Sequence, residues 1–195
     1  MNALKVITAV LVTTLLLGGC AAAVVGGGAA TGAGIAHDRR TAGTIIDDEG
    51  IELKALADIY KDKELYSQSH INVISFNGVV LLVGQTPTEA LRQQADSIIR
   101  KIEKVRLVHN ELTIAAPNSL LTRSSDSVIT TKVKISLFEI KGLHDFDPTR
   151  VKVVTENGIV YLMGILYHAE ADAVATRASQ VDGVQKVVKM FEYLD

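Results

Sequence analysis

The chain has a single cysteine, Cys20, so no internal disulfide can form and the fold must rest on packing and hydrogen bonding. It lacks a surplus of either charge, with 20 Lys and Arg against 22 Asp and Glu and a formal net charge of −2. That balance argues against a general binder of nucleic acid or other polyanions, so affinity for an anionic surface has to come from local clustering. A long hydrophobic run is missing as well. The apolar stretch from Val6 to Leu17 covers twelve residues, short of the roughly twenty that span a bilayer. His37, His70, His109, His144 and His168 are scattered, with no pair at metal-ligand spacing on one helix. No nucleophile elbow or phosphate loop is present. Glu49 with Glu52, and Asp145 with Asp147, read as a helix-start charge bias and a loop rather than acid/base pairs. Neither an enzyme nor a metal or cofactor protein is expected.

What is present is an internal repeat. Ile71 to Gly84 and Val151 to Gly164 align without gaps, sharing Val73/Val153, Asn77/Asn157, Gly78/Gly158, Val80/Val160, Leu82/Leu162 and Gly84/Gly164. Asn-Gly between two aliphatic runs is the strongest short-range hairpin signal, because both central residues of the tight turn need positive φ. Each copy is therefore a hairpin, with Gly84 and Gly164 marking the exits from the sheet.

Around each hairpin the same elements recur. Ile51, Ala55 and Ile59, widened by Leu53 and Leu56, give the buried face of a helix from Asp48 to about Tyr60, which the charged stretch Lys61 to Glu64 ends. After the hairpin, Thr86, Pro87 and Glu89 supply a cap, a first helical residue and a capping box. Leu91, Ala95, Ile98, Ile99 and Ile102 carry that helix's buried face, and Val105 to Ile114 forms a third strand. Ala115 to Ser124 reads as a linker, although Leu120 and Leu121 leave room for the two units to touch. In the second unit a helix runs from Asp126 to about Ile140 and a second helix carries Ala171, Ala175, Ala178 and Val181. Val184 to Leu194 is the last strand. Residues 48–116 and 125–195 each carry eight basic and ten acidic side chains.

The N-terminal residues combine Lys5, the apolar run and Leu17-Gly18-Gly19-Cys20, which is an export signal. It resembles a bacterial lipoprotein signal, in which the Cys is lipidated and becomes the mature N-terminus. That resemblance implies a signal over residues 1–19, lipidation of Cys20 and, from Ala21, transport to the outer membrane, with the chain facing the periplasm. The Gly- and Ala-rich stretch from Ala21 to Ala36 reads as a flexible tether, with residues 20–46 preceding the first unit. The alternative is that its spaced small residues lie on the bilayer or pack on a neighbour.

Two units of about seventy residues, 47–116 and 125–195 around a linker at 117–124, resemble BON domains. In the second unit the matching strings are Ile129 to Lys134, Val151 to Val153, Glu156 to Gly158, Val160 to Gly164 and Val181 to Val184. The resemblance implies an α+β fold of two tandem BON domains. Each would be a helix-strand-strand-helix-strand sandwich, with a three-stranded mixed sheet packed on two helices. It further implies an outer-membrane lipoprotein that binds anionic phospholipid, with roles in envelope integrity and at division sites. Members of the family can carry an aromatic residue just before Ile-Thr-Thr-Lys, where this chain has Val128.

One helix holds the candidate site. At 100° per residue Ile129, Val133, Leu137 and Ile140 share one stripe and face the sheet, while Val128, Ile135 and Phe138 fall on the opposite side. Lys132 and Lys134 border this second stripe, and Thr131 lies within it. A helix covered on one face has no internal use for a second apolar stripe. The first unit, the bilayer surface or a protein partner such as an outer-membrane assembly or division protein could cover it. The first-unit helix, with Glu52, Asp58 and no matching Lys-flanked Phe, is expected to lack the second unit's stripe.

Overall fold

The computed structural model describes residues 38–117 and 120–194, the side chains of residues 120 and 121 excepted. The export signal, Cys20 and the Gly/Ala stretch lie outside the described residues.

Both hairpins form on tight turns. Strands β1 (His70–Phe76) and β2 (Val79–Thr86) pair antiparallel around Asn77 and Gly78, at φ 52° and 73°. Strands β5 (Lys152–Glu156) and β6 (Ile159–Leu166) do the same around Asn157 and Gly158, at 52° and 74°. These are the left-handed values a two-residue hairpin requires. Each turn is tied to the helix preceding it by one buried aspartate. Asp48 accepts hydrogen bonds from the Asn77 and Gly78 amides at 2.7 and 2.8 Å, and Asp126 accepts from the Asn157 and Gly158 amides at 2.9 Å each. The turn amides thereby find charged acceptors where water is excluded.

Gly84 and Gly164 do not leave the sheet; they sit inside β2 and β6, paired with Ile71 and Phe191. Their role is close approach. A Cβ on Gly84, whose φ is 123°, would stand 2.0 Å from the His70 carbonyl oxygen, and one on Gly164 would stand 3.0 Å from that of Arg150.

The helices differ more from expectation. Helix α1 (Ala42–Lys61) begins six residues before Asp48, capped by the Thr41 hydroxyl. Its buried face is Asp48, Ile51, Ala55 and Ile59, whereas Leu53 and Leu56 are exposed instead of widening it. The charged segment after it forms a short helix, α2 (Lys63–Gln68), on an Asp62 cap. Helix α3 (Glu89–Ile99) is capped by Thr88, because Thr86 is still paired within the sheet. The third strand is broken into β3 (Leu107–Asn110) and β4 (Thr113–Ile114), both parallel to β2. The linker is shorter than its Ser/Thr content suggested, since α4 (Leu120–Leu137) already includes residues 120–124. Asp126 is inside the helix, spent on the turn rather than on a cap. A 3-10 turn (Pro148–Arg150), helix α5 (His168–Ser179) and strand β7 (Lys186–Tyr193), parallel to β6, complete the second domain.

Three apolar clusters set the layer order. One lies between α1, α3 and the first sheet, around Ile51, Ala55, Val80, Leu82 and Leu91. A second lies between α4, α5 and the second sheet, around Ile129, Val133, Val160, Leu162 and Val174. The third joins Phe76, Leu81 and Val83 of the first sheet to Tyr161 and Met163 of the second. Alternate residues of β2 and β6 thus point into different clusters, as strands buried on both faces must. The order is helices, sheet, sheet, helices. The domains meet sheet to sheet, and α1 and α4 occupy opposite outer layers.

Polar groups at the rim fix this contact. The buried Glu156 carboxylate accepts from Gln85 at 2.6 Å, Lys152 reaches Glu52 at 2.8 Å, and Asn77 reaches Glu192 at 2.9 Å. Two consecutive arginines ahead of α1 grip different domains. Arg39 donates to both oxygens of Glu170, at 2.6 and 2.9 Å, and to the Ile165 carbonyl at 2.9 Å. Arg40 bonds Asp48 at 2.9 Å and lies over the Phe76 ring.

Candidate functional site

Helix α4 buries Ile129, Val133 and Leu137 against the second sheet, with Ile140 partly buried beyond its end. The opposite face is bare: Val128, Ile135 and Phe138 are 53%, 61% and 66% exposed. The first domain does not cover them, because it packs on the far side of the second sheet. Of the three covers open to the sequence, this one is removed. Three 3-10-type bonds end the helix, from the Phe138, Glu139 and Ile140 amides to the Ile135, Ser136 and Leu137 carbonyls. They fix the backbone of residues 138–140 at the close of the stripe.

Lys132 and Lys134 are exposed on either side, and among the described residues neither forms an ion pair. Thr131 turns its hydroxyl back to the Ser127 carbonyl at 2.9 Å. It adds bulk and not a free donor. Two grooves flank the stripe. One, of about 320 Å³, runs along α5 and is lined by Lys132, Ile135, Ser136, Glu139, Arg177 and Asp182 among others. The second, of about 340 Å³, lies toward the 3-10 turn and is lined by Lys134, Phe138, Pro148, Thr149 and Val151. Val128, Ile135 and Phe138 share one face of α4 as their spacing requires, whereas Pro148, Thr149 and Val151 reach the second groove from a segment that no helical period links to α4.

The turn residues Asn77, Gly78, Asn157 and Gly158 build the platforms beneath and touch no part of this stripe. A larger polar cleft at the domain junction is lined by His70, Asn72, Arg123, Asp126, Thr130 and Glu156 among others. Burial and the nearby Arg123 charge push His70 below its ordinary value, against an opposing pull from Glu156. Burial, reinforced by Glu111 and Glu156, pushes the Tyr161 phenol up to about 12. These are packing groups of the junction. Among the described residues no cluster of His, Cys, Asp and Glu could hold a metal ion, and no helix is long and apolar enough to cross a membrane.

Helix α1 also carries an exposed apolar face, partly made by Leu53 and Leu56, whose apolar character had assigned them to the core. Ile46, Leu53, Leu56 and Tyr60 are exposed, with Tyr66 stacked at a tilt on Tyr60 at 4.2 Å. Seven-residue steps from Ile46 to Leu53 to Tyr60 place them away from Ile51 and Ala55.

The profile of the BON domain matches twice, over residues 47–116 and 125–195. The chain is 42% identical over 166 residues to "Outer membrane lipoprotein DolP" of Haemophilus influenzae, covering 85% of this chain and 84% of that one. It is 40% identical over 160 residues to "21 kDa hemolysin" of Actinobacillus pleuropneumoniae, covering 80% and 79%. To "Osmotically-inducible protein Y" of Escherichia coli it is 30% identical over 149 residues, covering 74% and 72%.

Proposed function

We propose that this chain, which belongs to the BON-domain family, is an outer-membrane lipoprotein anchored through Cys20 and facing the periplasm, whose second domain seats α4 on anionic phospholipid. The observation that carries the reading is the stripe of Val128, Ile135 and Phe138, exposed among Lys132 and Lys134 and turned directly away from its own sheet. Burying the Phe138 side chain contributes about 1.5 to 3 kcal/mol, and each lysine near an anionic surface about 1 kcal/mol. Such a contact is weak alone. A lipid on Cys20 keeps the domain at high effective concentration near the bilayer, where weak contacts suffice. Through this contact the protein supports envelope integrity, including at division sites.

The test is flotation of the chain lacking residues 1–20 with vesicles. Binding is expected to phosphatidylglycerol-containing vesicles and not to zwitterionic ones, with Phe138→Glu or Lys132→Glu weakening it. Equal retention on both vesicle types, or full retention of the variants, sinks the reading.

A second reading, a protein-interaction scaffold for an envelope complex, is favoured by the face of α1. Because α1 and α4 occupy opposite outer layers, Leu53 and Tyr60 point away from any bilayer on which Phe138 lies. A protein is then the cover for that face. Leu53→Glu is expected to leave vesicle binding unchanged while abolishing cross-links from position 60 to envelope proteins in cells.

A further inference from the structure

The two borders of the α4 stripe are chemically unequal. On the Lys132 side the groove along α5 also contains Arg177, Glu139 and Asp182. Arg177 is ion-paired with Glu139 and donates to the Ser136 carbonyl at 3.2 Å. Two cations there meet two carboxylates, and the groove has no net charge to offer an anion. On the Lys134 side the lining is Lys134, Phe138, Pro148, Thr149 and Val151, with no carboxylate among them. The acids of the adjoining loop are committed elsewhere. Asp147 accepts from the Thr149 amide and hydroxyl at 2.8 and 2.6 Å, capping the 3-10 turn, and Asp145 is paired with Arg150. Lys134 forms no ion pair among the described residues and stands beside the ring of Phe138.

A lone lysine over an apolar wall, at the edge of a surface turned toward lipid, matches the two parts of an anionic phospholipid. Its phosphate needs a cation, and the glycerol and first acyl carbons need a dry side. We propose that the groove between α4 and the Pro148–Val151 segment is the headgroup seat, with Lys134 holding the phosphate diester and Phe138, Pro148 and Val151 walling the glycerol end. Lys132 lies over the bilayer without such a seat. This rests on the membrane reading and sharpens it, because it makes two neighbouring exposed lysines functionally different.

The experiment uses the chain lacking residues 1–20, which keeps the whole compact unit of residues 39–195. Lys132→Gln is expected to weaken binding to phosphatidylglycerol vesicles by no more than the roughly fivefold that any lysine over an anionic surface contributes, and Lys134→Gln by about tenfold or more. Both side chains are exposed, so equal thermal midpoints check that neither variant has lost its fold. In the wild-type chain, micelle-free short-chain phosphatidylglycerol is expected to shift the amides of Lys134, Phe138, Thr149 and Val151, leaving Glu139 and Asp182 in place. Equal losses from the two variants, or shifts centred on the Asp182 groove, overturn the seat. The same shifts with inorganic phosphate at the same concentration overturn its lipid character. If the wild-type chain binds no anionic vesicle at all, the membrane reading itself has failed, a result distinct from the others.

Discussion

Arg39 grips Glu170 with both ends of its guanidinium, joining a residue ahead of α1 to the first turn of α5 across 131 positions of sequence. The carboxylate is almost fully buried and also accepts from the Tyr167 amide at 2.9 Å. Arg40, the next residue, grips Asp48 in the other domain. The dipeptide therefore clips the two domains together outside their apolar contact.

Acid should release this clip. Burial alone would raise the Glu170 carboxyl, but the Arg39 and Tyr167 hydrogen bonds hold it below its ordinary value of 4.5. A depressed carboxylate adds stability that is fully present above that value and drains away as pH falls through the lower folded value. Unfolding free energies from urea titrations of wild type and Glu170→Gln are expected to differ by about 1 to 2 kcal/mol near neutrality and to converge as pH falls below the ordinary carboxylate range. A constant difference across that range counts against the assignment.

Asp126→Ala should cost about 2 to 3 kcal/mol, since two turn amides lose a charged acceptor inside the protein. Asp48→Ala is expected to cost more, because Asp48 also takes the Ser75 hydroxyl at 2.6 Å and the Arg40 guanidinium. Thermal unfolding of the two variants side by side ranks them.

Two glycines should respond in opposite directions to the same change. Gly84→Ala meets the His70 carbonyl and a forbidden φ, and is expected to destabilise by about 3 kcal/mol or more. Gly50 lies inside α1 with nothing within 4 Å of an added Cβ. Gly50→Ala should therefore stabilise by up to about 1 kcal/mol. Denaturant midpoints of both substitutions in the otherwise wild-type chain measure the contrast.

Met163→Ala opens a cavity at the sheet-to-sheet contact, where Met163 is fully buried against the first domain. The expected loss is about 2 to 4 kcal/mol. Hydrogen exchange should also rise in β2 of the first domain, although the substitution is in the second. Exchange confined to the second domain would mean that the sheets are not energetically joined.

Much of the fold was legible because it is local. Asn77-Gly78 and Asn157-Gly158 dictate their turns from the backbone outward, and Ile129, Val133 and Leu137 have one helical period whatever surrounds them. Thr86 misled because a hydroxyl before Pro87 suits a cap, yet pairing with Ile114 keeps that residue in the sheet. Leu53 and Leu56 misled for a different reason: they are apolar, but at about 100° per residue they stand about 200° and 140° from Ile51, off the face that Asp48, Ile51, Ala55 and Ile59 turn to the sheet.

The sequence by itself determined the repeat, the hairpins and the existence of a second apolar stripe on α4, since each follows from spacing within one element. Tertiary structure decided that the stripe stays bare, because the burial of Leu81, Val83, Tyr161 and Met163 against one another joins the domains through their sheets and leaves both outer helices uncovered. It also decided which lysine has a dry wall beside it. Lys132 and Lys134 are equivalent in sequence, and only the return of Pro148 to Val151 alongside Phe138 makes them different.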